Sequence, residues 1–447
     1  MKTLLGRVKG CALDVIVSPE DPTGIMPLLS SHTKQFRSLS FTGNSLRDIQ
    51  MFSDANCGPL PLLRALEISH LERYGPGGLA ITSPSVPFFN NATNLKTFSF
   101  CSNSGWSPSL GYFAFPNLTS FRLSVKLDPG YGFSALQLLD FLGASPMLRT
   151  VDMKIAATMN IEDVPQDRVV VLRNVDSFNL LLGDYVPVYG FAVHISCPSA
   201  SSVSLAHTKH TYNVIAEEVF PPSNLWGIII DQYTRGSLEE VALEIVGHIA
   251  PTCRLAFRSS DGSVLKLGFE VTIHMEESID FRTQRAIFDN TFTQATRIVR
   301  DHPQANGVKR LRIHHRSLDG CNPDIADEVS QLFRSLGPLD ELTLHRCNVL
   351  QYLAPQFSPS GWGSGEKVLF TPIKQLTISH QTDSRIQDIV SLAKANHELG
   401  TPFGHVILRG THWVPWLQEK LKPWVGSVES HSETWNKRDQ WDKPFMD

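Results

Sequence analysis

The sequence has no surplus of charge of either sign: 40 Lys+Arg against 44 Asp+Glu leave a formal charge of -4. A nucleic-acid binder normally carries a basic excess, so that class is set aside. It also has no paired cysteines. The seven present (Cys11, Cys57, Cys101, Cys197, Cys253, Cys321 and Cys347) are odd in number, scattered, and free of any Cys-x-x-Cys spacing. That excludes a disulfide framework and a zinc ribbon and fits a reducing compartment. Long hydrophobic runs are absent as well. The opening MKTLLGRVKG is broken by Arg7 and Lys9, and aliphatic stretches such as Val169 to Leu172 fall far short of the roughly 20 residues a spanning helix requires. The expectation is an intracellular protein, cytoplasmic or nuclear, with no membrane and no nucleic acid among its partners. The sequons Asn91-Ala92-Thr93 and Asn117-Leu118-Thr119 are then chance matches. With 42% hydrophobic and 19% charged residues, the chain is too apolar to be disordered.

Signatures of catalysis are missing too. Gly361-Trp-Gly-Ser-Gly-Glu-Lys367 lacks the four-residue spacer of a phosphate loop, and Trp362 stands where a Gly-x-Ser-x-Gly nucleophile motif needs glycine. The 16 histidines include no metal-binding spacing, and the adjacent His314 and His315 on a strand point to opposite faces. No enzyme activity, cofactor or metal is expected.

What the sequence does contain is a triplet, Φ-x-x-Φ-x-Φ with Φ apolar, along almost its whole length. Copies begin at Phe36, Leu63, Leu95, Leu118, Leu148, Val175, Ala200, Leu225, Val308, Leu339, Ile373 and Phe403, with a first one at Ala12-Val15-Val17. Steps of about 23 to 34 residues match the leucine-rich repeat and its longer variants. In each copy the last two apolar positions alternate along a short strand and face a core, while the residues between them face outward. Asp21-Pro22, an N-cap followed by proline, opens one of the intervening helical segments. The predicted fold is α/β: a leucine-rich-repeat-like curved solenoid with a parallel β-sheet on its concave face and helices or irregular turns on its convex face. Asn44, Asn103 and Cys347, ninth in their copies, are the residues expected to bond the turns as a ladder.

The solenoid is read as one domain over residues 1–430, some thirteen or more units. Residues 251–307 break the rhythm as an insertion: Arg258-Ser-Ser-Asp-Gly-Ser263 predicts a hairpin with an Asp-Gly turn, and Phe288 to Val299 a helix. Pro355 to Gly365 is a loop. Residues 413–426 are expected to form a C-terminal capping helix, and 427–447 a polar tail.

The most charged outward run is Lys309-Arg-Leu-Arg-Ile-His-His-Arg316, where Arg310, Arg312 and His314 share the exposed side of a strand. Glu341, Thr343 and Gln375 lie on the next two strands, and these six residues are the candidate partner-binding surface, suited to an anionic contact. Elsewhere the same side carries small polar residues such as Ser38, Ser99 and Ser204. A face dominated by small polar side chains suits a protein partner better than catalysis, which needs a pocket with converging groups.

Several stretches are more specific than the repeat: His194-Ile-Ser-Cys-Pro-Ser-Ala200, Phe292-Thr-Gln-Ala-Thr-Arg297, Gly337-Pro-Leu-Asp-Glu-Leu-Thr-Leu344, Pro372-Ile-Lys-Gln-Leu-Thr-Ile-Ser-His380 and Leu421-Lys-Pro-Trp-Val-Gly426. In these the chain resembles a family of basidiomycete fungal F-box-like proteins with degenerate leucine-rich repeats, over essentially residues 1–430. The resemblance implies the substrate-recognition part of a cullin-type ubiquitin ligase, in which an F-box docks on a Skp-type adaptor and the repeats choose the target. An F-box of about 40 to 50 residues does not fit ahead of the first triplets, so the adaptor is expected as a partner only if an F-box is encoded upstream. The alternative is a free-standing repeat scaffold or decoy without ligase function.

Overall fold

A computed structural model describes residues 11–17, 31–43, 60–70, 92–102, 115–126, 132–156, 158–183, 188–211, 223–246, 252–273, 281–315, 323–345, 373–379, 386–398, 400–409 and 414–431. The protein is mixed α/β, dominated by parallel strand pairing, and its chain divides into two compact units, Met1–Thr208 and Lys209–Asp447.

In the first unit the strands β1 (Leu13–Val17), β2 (Phe36–Gly43), β3 (Ala65–His70), β4 (Thr97–Ser102), β5 (Ser120–Lys126), β7 (Thr150–Ala156), β10 (Ser177–Leu182) and β12 (Ser202–Thr211) pair in that order, all parallel. The register aligns the triplets. Leu39 lies beside Leu66, Leu66 beside Phe98, and Phe98 beside Phe121. Two small sheets flank this row: β6 (Gly132–Ser134) with β8 (Thr158–Asn160), and β9 (Val170–Val171) with β11 (Ile195–Ser196).

Why each strand begins where it does is visible in the four residues ahead of it. In Leu60–Leu63, Ala92–Leu95, Phe115–Leu118, Ser145–Leu148, Leu172–Val175 and Cys197–Ala200 the first and fourth residues are buried. The N–H of the fourth donates to the carbonyl of the first, at 3.0 to 3.4 Å (Leu118 to Phe115, Val175 to Leu172). The two middle residues are exposed and often Pro or Asn, which suits the corners of a tight turn. Asn side chains tie successive turns together: Asn94 Nδ2 donates to Pro61 O (2.8 Å), Asn117 to Thr93 O (2.9 Å) and Asn174 to Pro146 O (2.9 Å). The ladder expected at Asn44, Asn103 and Cys347 lies outside the described residues; the one observed sits immediately before the triplet.

Phenylalanines fill the space beneath these strands. Phe98 and Phe121 stack with centroids 5.9 Å apart, and Phe141 approaches Phe121 at 4.6 Å and Phe115 edge-on at 6.2 Å. Phe141 comes from the helix Ala135–Gly143, whose N-terminus is capped by Ser134 Oγ accepting from the Gln137 N–H at 3.3 Å.

The second unit orders its strands β15 (Val264–Ile273), β14 (Thr252–Ser259), β13 (Leu238–Val246), β16 (Arg310–His315), β17 (Leu339–His345), β18 (Ile373–Ser379), β19 (His405–Arg409) and β20 (Val428–His431). β13, β14 and β15 are antiparallel neighbours, and from β13 onward the pairing is parallel. The hairpin read from Arg258–Ser263 is the β14–β15 connection. It turns at Gly262, whose φ of +87° favours glycine, and Asp261 accepts from the Ser263 N–H at 2.9 Å. The helix expected over Phe288–Val299 spans Phe281–Arg300 and contacts β13 and β14. It also packs on the helix Pro323–Ser335, where Arg297 and Arg300 bind the two oxygens of the buried Glu328 at 2.5 and 2.7 Å.

Two expectations fail. Leu225-Ile228-Ile230, read as a strand triplet, lies in the helix Ser223–Tyr233. Ile229, Ile230 and Tyr233 are buried at helical spacing, while Ile228 is 53% exposed. The strand comes later, as Leu238-Val241-Leu243, and places Val241 beside Leu311 and Leu243 beside Ile313. The chain beyond Gly426, expected to be a polar tail, supplies β20 before the described residues end at His431. The helix Val414–Leu421 lies within the segment expected to cap the C-terminus. Asp21-Pro22, Pro355 to Gly365 with the glycine-rich loop, and residues 432–447 lie outside the described residues.

Candidate functional site

Alternation along β16 puts Leu311 and Ile313 in the core and Arg310, Arg312 and His314 on the other side of the sheet, where the two arginines are part-exposed but His314, expected to be exposed, is buried. Parallel register then brings all six candidate residues into one array. Arg310, Glu341 and Gln375 form one cross-strand row; Arg312, Thr343 and Thr377 form the next; His314, His345 and Ser379 form the third. Neighbours in each row stand about 4.8 Å apart. Thr343 Oγ donates to Glu341 Oε1 at 2.8 Å.

On the other side of β16 lies β13, which the triplet search passed over, and it changes the chemistry. Glu240 stands beside Arg310 and Glu244 beside His314. Glu240 is 6% exposed and has three guanidinium groups around it: Arg312 Nε at 3.1 Å, Arg310 Nε at 3.4 Å and Arg258 Nε at 3.8 Å. Glu244, 9% exposed, faces Arg254 Nη1 at 3.1 Å and His314 Nδ1 at 3.1 Å. The His314 ring meets His345 edge-on, with centroids 4.5 Å apart. The run read from sequence as an open basic strand is therefore a charge lattice with buried carboxylates beneath half-exposed arginines. Burying a carboxylate is tolerable only when it is paired in this way.

Glu240, Glu244, Arg254, Arg258 and His345 were missed. The signal for the first two was there: Leu238-Glu-Glu-Val-Ala-Leu-Glu-Ile-Val repeats the triplet, but its glutamates make it resemble a helix. Arg254 and Arg258 alternate with Leu255 and Phe257 on β14, and nothing local indicates that the hairpin folds against β13.

In the first unit the corresponding side of the sheet is milder. One row runs Ser40, Glu67, Ser99, Arg122, Asp152, Asn179, Ser204. Ser40 donates to Glu67 (3.1 Å), Asn179 donates to Asp152 (2.7 Å), and Arg122 lies 3.5 Å from Asp152. At one end Asp14 accepts from Arg37 and from Ser38; these bonds, that from Arg37 foremost, hold its carboxyl at about 2.

Among the described residues no three His, Cys, Asp or Glu side chains converge as metal ligands, and no helix is long and apolar enough to cross a membrane. Burial pushes the Cys197 thiol up to about 12 and that of Cys253 higher still, so neither supplies a thiolate nucleophile. No family model matches the chain, and no curated protein sequence is detectably similar to it.

Proposed function

We propose that this protein is a leucine-rich-repeat-like solenoid that acts as a non-enzymatic interaction module and recognises a protein partner through the polar side of its sheet. The observation that carries this reading is the array over β14, β13, β16, β17 and β18. It is a field of half-exposed arginines with the part-exposed Glu341, Thr343 and Gln375 beside them, fixed from below by Glu240 and Glu244, while His314, His345, Thr377 and Ser379 are buried. Arginines held in place by buried carboxylates lose little freedom on binding, which is what a preorganised recognition surface needs. Four guanidinium groups against Glu239, Glu240, Glu244 and Glu341 balance in charge, but Glu240 and Glu244 are buried while the arginines are half-exposed, so what a partner meets is mainly guanidinium, which favours a segment rich in carboxylates.

On the resemblance, the module is the target-holding part of an F-box-type ubiquitin ligase receptor in the cytoplasm or nucleus; the alternative is a scaffold or decoy without ligase function. Affinity capture with the tagged chain tests both. Because Arg310 and Arg312 pair with Glu240, reversing their charges would disturb the fold. The blocking variant is therefore Thr343→Trp with Gln375→Trp, which adds bulk to a strand surface that accepts aromatics. The module reading expects partners lost in this variant with the circular dichroism spectrum unchanged. Recovery unaffected by the double substitution contradicts it. Cullin and Skp-type components among the recovered proteins favour the ligase reading, and partners without them favour the scaffold.

A further inference from the structure

We propose that the first unit carries a second, separate site: a cleft at the edge where its strands begin, built to bind a phosphate monoester. This rests on different residues from the interaction surface and does not depend on it.

The cleft has a volume of about 420 Å³ and is lined by residues from the turns ahead of β3, β4, β5 and β7, among them Arg64, Lys96, Asn94, Asn117, Leu62 and Met147. That volume suits a small ligand. The backbone fixes the two cations side by side: the Lys96 N–H donates to Arg64 O at 2.8 Å, and the Thr119 N–H to Lys96 O at 2.8 Å. Arg64 and Lys96 thus occupy equivalent positions on adjacent strands, about 4.8 Å apart. Both are exposed, and among the described residues no acidic side chain pairs with either.

Like charges placed opposite one another in a sheet are unfavourable, and the corresponding row of the second unit avoids them. In the second unit it reads Glu239, Lys309, Asp340, Lys374, alternating in sign, with Lys374 Nζ on Asp340 at 2.6 Å. In the first unit Arg37, one strand before Arg64, is covered by Asp14. Arg64 and Lys96 are thus a like-charged pair that no carboxylate among the described residues covers, and the pair lines a cleft.

Hydrogen-bond capacity lies beside them. Asn94 and Asn117 each spend one amide hydrogen on a neighbouring turn carbonyl, which leaves each a second donor. A guanidinium, an ammonium and amide donors together match the several oxygens of a phosphoryl group. Leu62 and Met147, 47% and 46% exposed, line the same cleft and offer an apolar surface to the body of the ester.

Calorimetric titration of the full chain at low ionic strength, with inorganic phosphate and phenyl phosphate as probes and sodium chloride as the ionic-strength control, tests the site. Both probes should bind, phenyl phosphate more tightly. Arg64→Gln with Lys96→Gln should weaken both by about tenfold or more, and the unfolding midpoint of this variant in chloride should not fall. Leu62→Ser with Met147→Ser should abolish the advantage of phenyl phosphate and leave inorganic phosphate binding unchanged. Heats no larger than those of chloride, or affinities unaltered by the Arg64 and Lys96 substitutions, would overturn the proposal.

Discussion

At the scale of single residues, the decisive groups are those whose surroundings sequence order does not reveal. Glu240 sits among three arginines drawn from two other strands, β14 and β16. Replacing it with Gln keeps the shape and removes the charge that holds them. Because those arginines are partly solvated, the full cost of an orphaned buried ion is not expected; a loss of about 1–3 kcal/mol is, measurable by urea denaturation. His302 gives a pH-dependent counterpart. Burial lowers its pKa from the ordinary 6.5, against an opposing pull from Asp231 at 3.4 Å, and its Nδ1 accepts the Gln304 N–H at 3.2 Å. The folded chain therefore favours the neutral ring. Its contribution is complete above the unfolded value of about 6.5 and declines as pH falls from there toward the folded value. Unfolding free energies of the wild type and His302→Asn, measured from about pH 8 to pH 5, should converge on the acid side. A constant difference across that range would assign the histidine a packing role alone.

At the scale of elements, most of the strand row was legible because burial follows the triplet so closely. Phe36, Leu39 and Phe41 are all buried, as are Leu339, Leu342 and Leu344. The failures share a cause. Leu225-Ile228-Ile230 has the spacing and composition of a strand but lies in a helix, and Leu238 to Val246 has the same spacing with the composition of a helix but forms a strand; in both places what the fold buries prevailed. Composition records intrinsic preference, which tertiary burial overrides. β20 was hidden because Val428 and His431 are only half-buried, Glu429 and Ser430 are exposed, and it carries no apolar triplet. The turns show how closely successive elements stack. A Cβ added to Gly337 would lie 2.1 Å from the Asn306 carbonyl oxygen, with no flexible side chain to yield. Gly337→Ala should therefore lower stability by about 1–3 kcal/mol, whereas Gly262→Ala should be strained only through its positive φ. Thermal unfolding of the two variants separates backbone crowding from backbone conformation.

At the scale of the whole molecule, near-neutral net charge conceals an uneven distribution. Charges of opposite sign are paired across the strands of the second unit, and like charges adjoin at the strand-entry edge of the first. Sequence alone located the candidate strands and their outward residues, but not the charges that neutralise them, because β13 precedes β16 by some sixty residues and meets it only through the fold. The proposed docking of a protein partner on the polar side of the second unit's sheet is open to direct test. Site-specific photocrosslinking tests it most directly, with the crosslinker placed in turn at Gln375 on β18 and at Gln331 on the exposed side of the helix Pro323–Ser335. Docking on that side gives partner adducts from position 375 and none from position 331. Adducts from position 331 with none from 375 would contradict it.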